Sequence, residues 1–161
     1  SAMLAAAAVC GDIATVIRAG LSEIPERSRL ARDINEILRL YEGGKTKDEV
    51  FSHIHEKYDE AVPHHWCHTN SNAMIVAAAL LYGGGDYGRS ICMAVETGFD
   101  TDCNGATVGS VLGMMLGASA VGPEWTAPIN GTLDTSILSA GRISVSKLVE
   151  ITLGCIASRG E

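Results

Sequence analysis

Asp100 and Asp102 stand two positions apart in the stretch Glu96-Thr97-Gly98-Phe99-Asp100-Thr101-Asp102-Cys103-Asn104-Gly105-Ala106-Thr107, which lies between two apolar segments. Ile91 to Val95 reads as the end of a buried helix, and Val108 to Ala120 is almost wholly small or apolar. A buried carboxylate without a partner is destabilising by on the order of several kcal/mol, so two acids in such surroundings require a cation or hydrogen bonds. In a turn, carboxylates at alternate positions can face one point while Thr101 faces away. That arrangement suits a hard cation, because Mg²⁺ and Ca²⁺ take carboxylate, hydroxyl and water oxygens, whereas Zn²⁺ would call for histidines and cysteines at pairing distances. A purely structural role fits the same residues, with Asp102 as the N-cap of the following helix and Asp100 as a turn residue near its positive end. A Ca²⁺ module is disfavoured by the single pair of acids, since Ca²⁺ takes about 6–8 oxygens.

Behind the acids, Gly105, Gly109, Gly113 and Gly117 recur at every fourth position and fall in a row along one helix face. Each glycine disfavours a helix by roughly 0.8–1.0 kcal/mol relative to alanine, so the row implies a backbone approached closely by another helix or by a ligand. A membrane dimer face would use the same spacing. The flanking Asp100, Asp102 and Glu124 and the lack of an uninterrupted apolar run of about 20 residues exclude it.

The residues His68-Thr69-Asn70-Ser71-Asn72-Ala73, the core Gly98-Phe99-Asp100-Thr101-Asp102, the glycines that follow it and Pro123-Glu124-Trp125 occur in this order over about residues 60–135. With them the chain resembles the ADP-ribosylglycohydrolase family, which has crystallin relatives. The resemblance implies an all-α, orthogonal multi-helix bundle that binds two Mg²⁺ ions and hydrolyses the bond between ADP-ribose and an acceptor. By position it makes Asp100 and Asp102 metal ligands, puts Cys103 where a third ligand, usually threonine, would stand, and makes His68, Asn70, Asn72, Gly98 and Phe99 substrate-binding. A thiol is a poor ligand for a hard cation, so Asn104 or a water is the alternative third donor. The resemblance also implies further ligands and a catalytic acid in an acidic Thr-Asp-Asp motif, yet residues 1–161 contain no Asp-Asp pair. The expectation is therefore a C-terminal portion of one such domain at 4–161, after a cloning remnant at 1–3, and an inactive fragment. A non-catalytic binding or structural relative is the alternative, favoured by Cys103.

The 161 residues suffice for one domain's core, and 47% hydrophobic with only 5% aromatic residues favours close helix packing by Ala, Leu, Ile and Val. A formal charge of −7 with no Lys/Arg cluster argues against nucleic acid as a partner, and no segment reads as membrane-spanning. The partner that the resemblance implies is an ADP-ribosylated substrate or ADP-ribose. The five cysteines form no Cys-x-x-Cys pair, which suits a reducing, cytoplasmic setting. A half-covered core would leave apolar surface for homo-oligomerisation.

The elements that must position these residues follow from periodicity and caps. Residues 4–19 read as one helix. Ser22 reads as the cap of a second, with Pro25 in its first turn and a stripe of Leu30, Ile34, Ile37, Leu38 and Tyr41. Thr46 to Glu49 is a capping box for a third. A helix at about 71–82 follows three histidines at 64, 65 and 68, for which packing is favoured over Zn²⁺ binding. Gly83-Gly84-Gly85 ends it as a tight connection, and Asp86 caps the next helix, to about Thr97. Glu96 is either a supporting acid one turn before Asp100 or simply solvated. Residues 127–142 read as polar turns. Ser144 or Ser146 starts a last helix to about Ser158, with Val145, Leu148, Val149, Thr152 and Leu153 on its buried face, before a helix end at 159–161.

Overall fold

The computed structural model describes residues 1–158, which form an all-α protein with one small β-hairpin. The chain divides into two units, Ser1–Ala120 and the segment from Val121 onward.

In the first unit, α1 (Ala2–Ala7), α2 (Ile13–Ser22), α3 (Arg29–Glu42), α4 (Lys47–Lys57), the short α5 (Pro63–Trp66), α7 (Tyr87–Glu96) and α8 (Thr101–Leu116) are arranged around α6 (Thr69–Tyr82). Every residue from Met74 to Leu81 on α6 is buried. Such a helix is apolar all round, and only a central position satisfies it. α6 packs against α2, α3, α4, α7 and α8. The α3 stripe behaves as its periodicity requires: Ile34, Ile37 and Leu38 are buried, Leu30 is half-buried, and Tyr41 at the end stays exposed.

The caps decide where helices start. Thr46 and Glu49 form the expected capping box on α4. The Asp86 side chain accepts from the Arg89 N–H at 2.7 Å and starts α7. Two expected boundaries are corrected. The single helix over 4–19 is broken between Ala7 and Ile13, because the Asp12 carboxylate takes the Thr15 N–H at 2.8 Å and begins a new helix. The cap of α3 is Ser28 rather than Ser22, so Pro25 belongs to the connection, where its carbonyl accepts from the Ser28 N–H.

The glycine row does what close packing demands. A Cβ on Gly105 would lie 3.1 Å from Val95 Cγ2, and one on Gly109 would lie 3.2 Å from Ile91 Cδ1 and from the Tyr87 hydroxyl. The glycines thus let α7 settle against the backbone of α8. Gly117 no longer belongs to the groove: it is the residue beyond the helix, with φ +79°.

The second unit contains α9 (Pro123–Thr126), the antiparallel strands β1 (Thr132–Asp134) and β2 (Arg142–Ser144), and α10 (Val145–Ala157). Leu133 pairs with Ile143 at the centre of the hairpin, so the segment expected as turns carries a short ladder. Ser144 caps α10 by accepting from the Lys147 N–H. The buried face expected for α10 is corrected: Leu148 is half-buried, while Val145, Val149, Thr152 and Leu153 are exposed. The expected helix end at 159–161 lies outside the described residues. Among the described residues, no helix is long and apolar enough to cross a membrane.

Candidate metal and ligand site

The acidic turn is a short, left-handed piece of backbone between α7 and α8. Gly98 has φ +86° and Phe99 has φ +60°, a region in which a residue with a bulky side chain is an outlier. Two consecutive residues of this kind reverse the chain sharply and place Asp100 at the N-cap and Asp102 in the first turn of α8. The expected cap is therefore shifted by two residues, from Asp102 to Asp100. The positive end of a 16-residue helix favours both carboxylates there.

Side chains from distant parts of the chain hold this turn at three backbone positions. His55 Nε2 lies 3.0 Å from the Thr97 carbonyl, so this nitrogen carries the proton and donates it. The Phe99 N–H donates to Glu60 Oε2 at 3.0 Å. The Asp100 N–H donates to Asn72 Oδ1 at 3.1 Å. The Phe99 ring is buried, with the His55 ring 5.1 Å away. Asn72 is satisfied at both ends, since Oδ1 also takes the buried Asn104 Nδ2 at 2.7 Å and its own Nδ2 donates to the Trp66 and His68 carbonyls, each at 3.0 Å.

Donor atoms of Asp100, Asp102 and Cys103 all lie within 4.8 Å of one another, with Asp100 half-buried and the other two exposed. The Asp102 carboxyl is held below the ordinary carboxylate range by a hydrogen bond with the Asp100 carboxyl, then by the N–H groups of Cys103 and of Asp102 itself. The Cys103 thiol is pushed up by its hydrogen bond to Asp100, then by the charges of Asp100 and Asp102. As a donor set, two facing carboxylates fit a hard divalent cation, whereas sulfur is a poor donor to one.

Asp100 and Cys103 line a cavity of about 1340 Å³ together with Asn72, Asn104 and Thr107, and its remaining wall is largely apolar, from α1, α2, α3 and α6. Of the other expected substrate-binding residues, the structure brings only Asn72 into this cavity. Asn70 is buried and turned to α3, where its Nδ2 donates to Asp33 Oδ2 at 2.6 Å. His68 caps α6: its Nδ1 accepts from the Asn70 N–H, and its ring stacks with Tyr58 and meets His64 edge-on. Gly98 and Phe99 shape the turn rather than line the cavity. Glu96 is exposed. The acid that reaches the turn is Glu60, which no local sequence signal marks, because it follows α4 and is 39 residues from its partner.

Around Asp33 a second polar cluster forms between α3, α4 and α6. Lys57 Nζ donates to Asp33 Oδ1 at 2.7 Å and to Glu36 Oε2 at 2.6 Å, and the Tyr58 hydroxyl donates to Asp33 Oδ2 at 2.7 Å. Burial disfavours the charge on Asp33, but the bonds from Lys57, Tyr58 and Asn70 outweigh it and hold the carboxyl below its ordinary range.

No curated protein and no solved structure matches this chain. The ADP-ribosylglycohydrolase family model does, over residues 1–152, which include the whole of the acidic turn, the glycine face of α8 and the Asn72 contact. With that match across nearly all of its length, the chain belongs to the ADP-ribosylglycohydrolase family.

Proposed function

We propose that this chain contributes the Mg²⁺-binding face of a hydrolase that removes ADP-ribose from a modified acceptor. The observation that carries the reading is the convergence of Asp100, Asp102 and Cys103 within 4.8 Å at the start of α8. Asp100 and Asp102 are the residues that would hold the cation, with Cys103 beside them as a weak third donor. Bound there, a divalent ion supplies Lewis-acid polarisation of ribose hydroxyls and of a water.

The chain's own part is positional. Asn72 fixes the backbone of Asp100, and the left-handed turn sets the two carboxylates on one side of the helix start. The positive end of α8 offsets part of the repulsion between them. The cavity beside Asp100 and Asn104 offers polar side chains at one end and an apolar wall at the other, which suits a ligand with both a sugar and a flat apolar portion.

Calorimetric titration with Mg²⁺ and ADP-ribose, beside an Asp100→Ala/Asp102→Ala double variant, tests the proposal. Saturable binding that vanishes in the double variant is expected. Equal binding by both proteins would overturn the assignment. Cys103 favours a second reading, a binding or structural relative without turnover, and ligand binding with no release of ADP-ribose from a modified acceptor would select it.

A further inference from the structure

We infer that Glu60 is a positioning residue for the acidic turn, acting through its hydrogen bond to the Phe99 N–H; the inference rests on the metal-site reading above. Phe99 immediately precedes Asp100 and has φ +60°, and Gly98 before it has φ +86°. Left-handed backbone at a bulky residue persists only where the surroundings over-determine it. Here they do so through Glu60, which accepts from Phe99, and through Asn72, which accepts from the next N–H along the chain. The two acceptors grip consecutive amides, so together they set both the place and the direction of the Asp100 carboxylate. Glu60 is itself an exposed residue, so burial does not force its carboxylate into this position. It also fits the turn closely enough that a Cβ on Gly98 would run into its carboxylate. The role requires an acceptor oxygen and not a charge, which separates Glu60→Gln from Glu60→Ala.

Two measurements on the full chain test this. The first is amide hydrogen exchange without metal. In Glu60→Ala, exchange at Phe99, Asp100 and the first turn of α8 is expected to rise at least tenfold, while the α6 amides keep their rates; Glu60→Gln is expected to stay within about threefold of the unaltered chain at every position. Unchanged exchange at Phe99 in Glu60→Ala would overturn the inference, as would an equal rise throughout α6, which would signify general destabilisation. The second is Mn²⁺ titration, in which Glu60→Ala is expected to bind about tenfold more weakly, the range in which partners of metal ligands act, with Glu60→Gln restoring affinity. Equal Mn²⁺ affinity in Glu60→Ala would overturn the inference. Should the unaltered chain bind no Mn²⁺, the metal-site reading fails, and the exchange measurement still decides whether Glu60 positions the turn.

Discussion

Asn72 Oδ1 receives two hydrogen bonds from the acidic turn, one from the Asp100 N–H at 3.1 Å and one from the Asn104 side chain at 2.7 Å. Its own amide nitrogen is committed to two carbonyls. An aspartate of the same shape would keep the two acceptor bonds but present an oxygen to the Trp66 and His68 carbonyls. Asn72→Asp is therefore expected to lose about 2 kcal/mol, the effect of leaving part-buried polar groups unpaired. Urea unfolding of the two proteins checks this, and an Asn72→Asp variant as stable as the parent would refute the contact's importance.

The glycine face offers a contrast within one helix. A Cβ at Gly113 would sit 3.8 Å from Tyr87 Cε2, an ordinary contact, whereas at Gly105 it would press on Val95 at 3.1 Å. Gly113→Ala is expected to gain up to about 1 kcal/mol of helix propensity, a rise of roughly 2–4 °C in Tm. In Gly105→Ala the crowding against α7 is expected to cancel that gain or reverse it. Thermal unfolding that ranks the two variants the other way would contradict the packing described for α7 and α8.

Much of this was legible beforehand because it is local. The capping box of Thr46 and Glu49, the caps Asp86 and Ser144, and the four-residue glycine period are each contained within a few positions, where hydrogen-bond geometry and helix pitch leave few alternatives. The break between α1 and α2 is hidden because the composition is helix-like on both sides of it, Leu4–Ala7 before and Ile13–Ala19 after, and only the Asp12–Thr15 bond reveals the restart. The site divides in the same way. The carboxylate pair could be read from its spacing, but that Asn70 faces Asp33 across 37 residues, and that Glu60 rather than Glu96 supports the turn, follow from helix docking. The apolar residues of α10 have the period of a buried face, and periodicity does not say whether anything covers it.

Asp33 links stability to pH with a definite sign. Its carboxyl lies below the ordinary range in the folded protein, so its contribution is fully present above the unfolded value of about 3.9 and is lost as pH falls through the folded value. Asp33→Asn is expected to lose roughly 2–3 kcal/mol near neutral pH, since it weakens charged bonds from Lys57 and leaves that amine to Glu36 alone. Unfolding measured from pH 7 down to pH 2 checks it: the gap between the two proteins holds to about pH 4 and then narrows. A gap that stays constant to pH 2 would show that the Asp33 charge is not what the cluster uses.

Cys103 sets an expectation for cation preference under the proposed function. A thiol offers a soft donor beside two hard ones, and threonine would replace it with a hydroxyl. Cys103→Thr is expected to tighten Mg²⁺ binding several-fold and to weaken Zn²⁺ binding. Competitive titration of the two metals reads the ratio, and an unmoved ratio would place the sulfur outside the coordination sphere.

The three bonds that shape the acidic turn, from His55, Glu60 and Asn72, join residues 42, 39 and 28 positions apart in the chain. Contacts of that range form only after the intervening loops have closed. The carboxylate pair is therefore expected to take its final geometry late in folding, once α4 and α6 have docked. Under the proposed function, a cation would then reinforce a tertiary arrangement already found rather than seed it. Added Mg²⁺ is expected to slow unfolding while leaving the rate of refolding unchanged, and stopped-flow kinetics with and without Mg²⁺ check it.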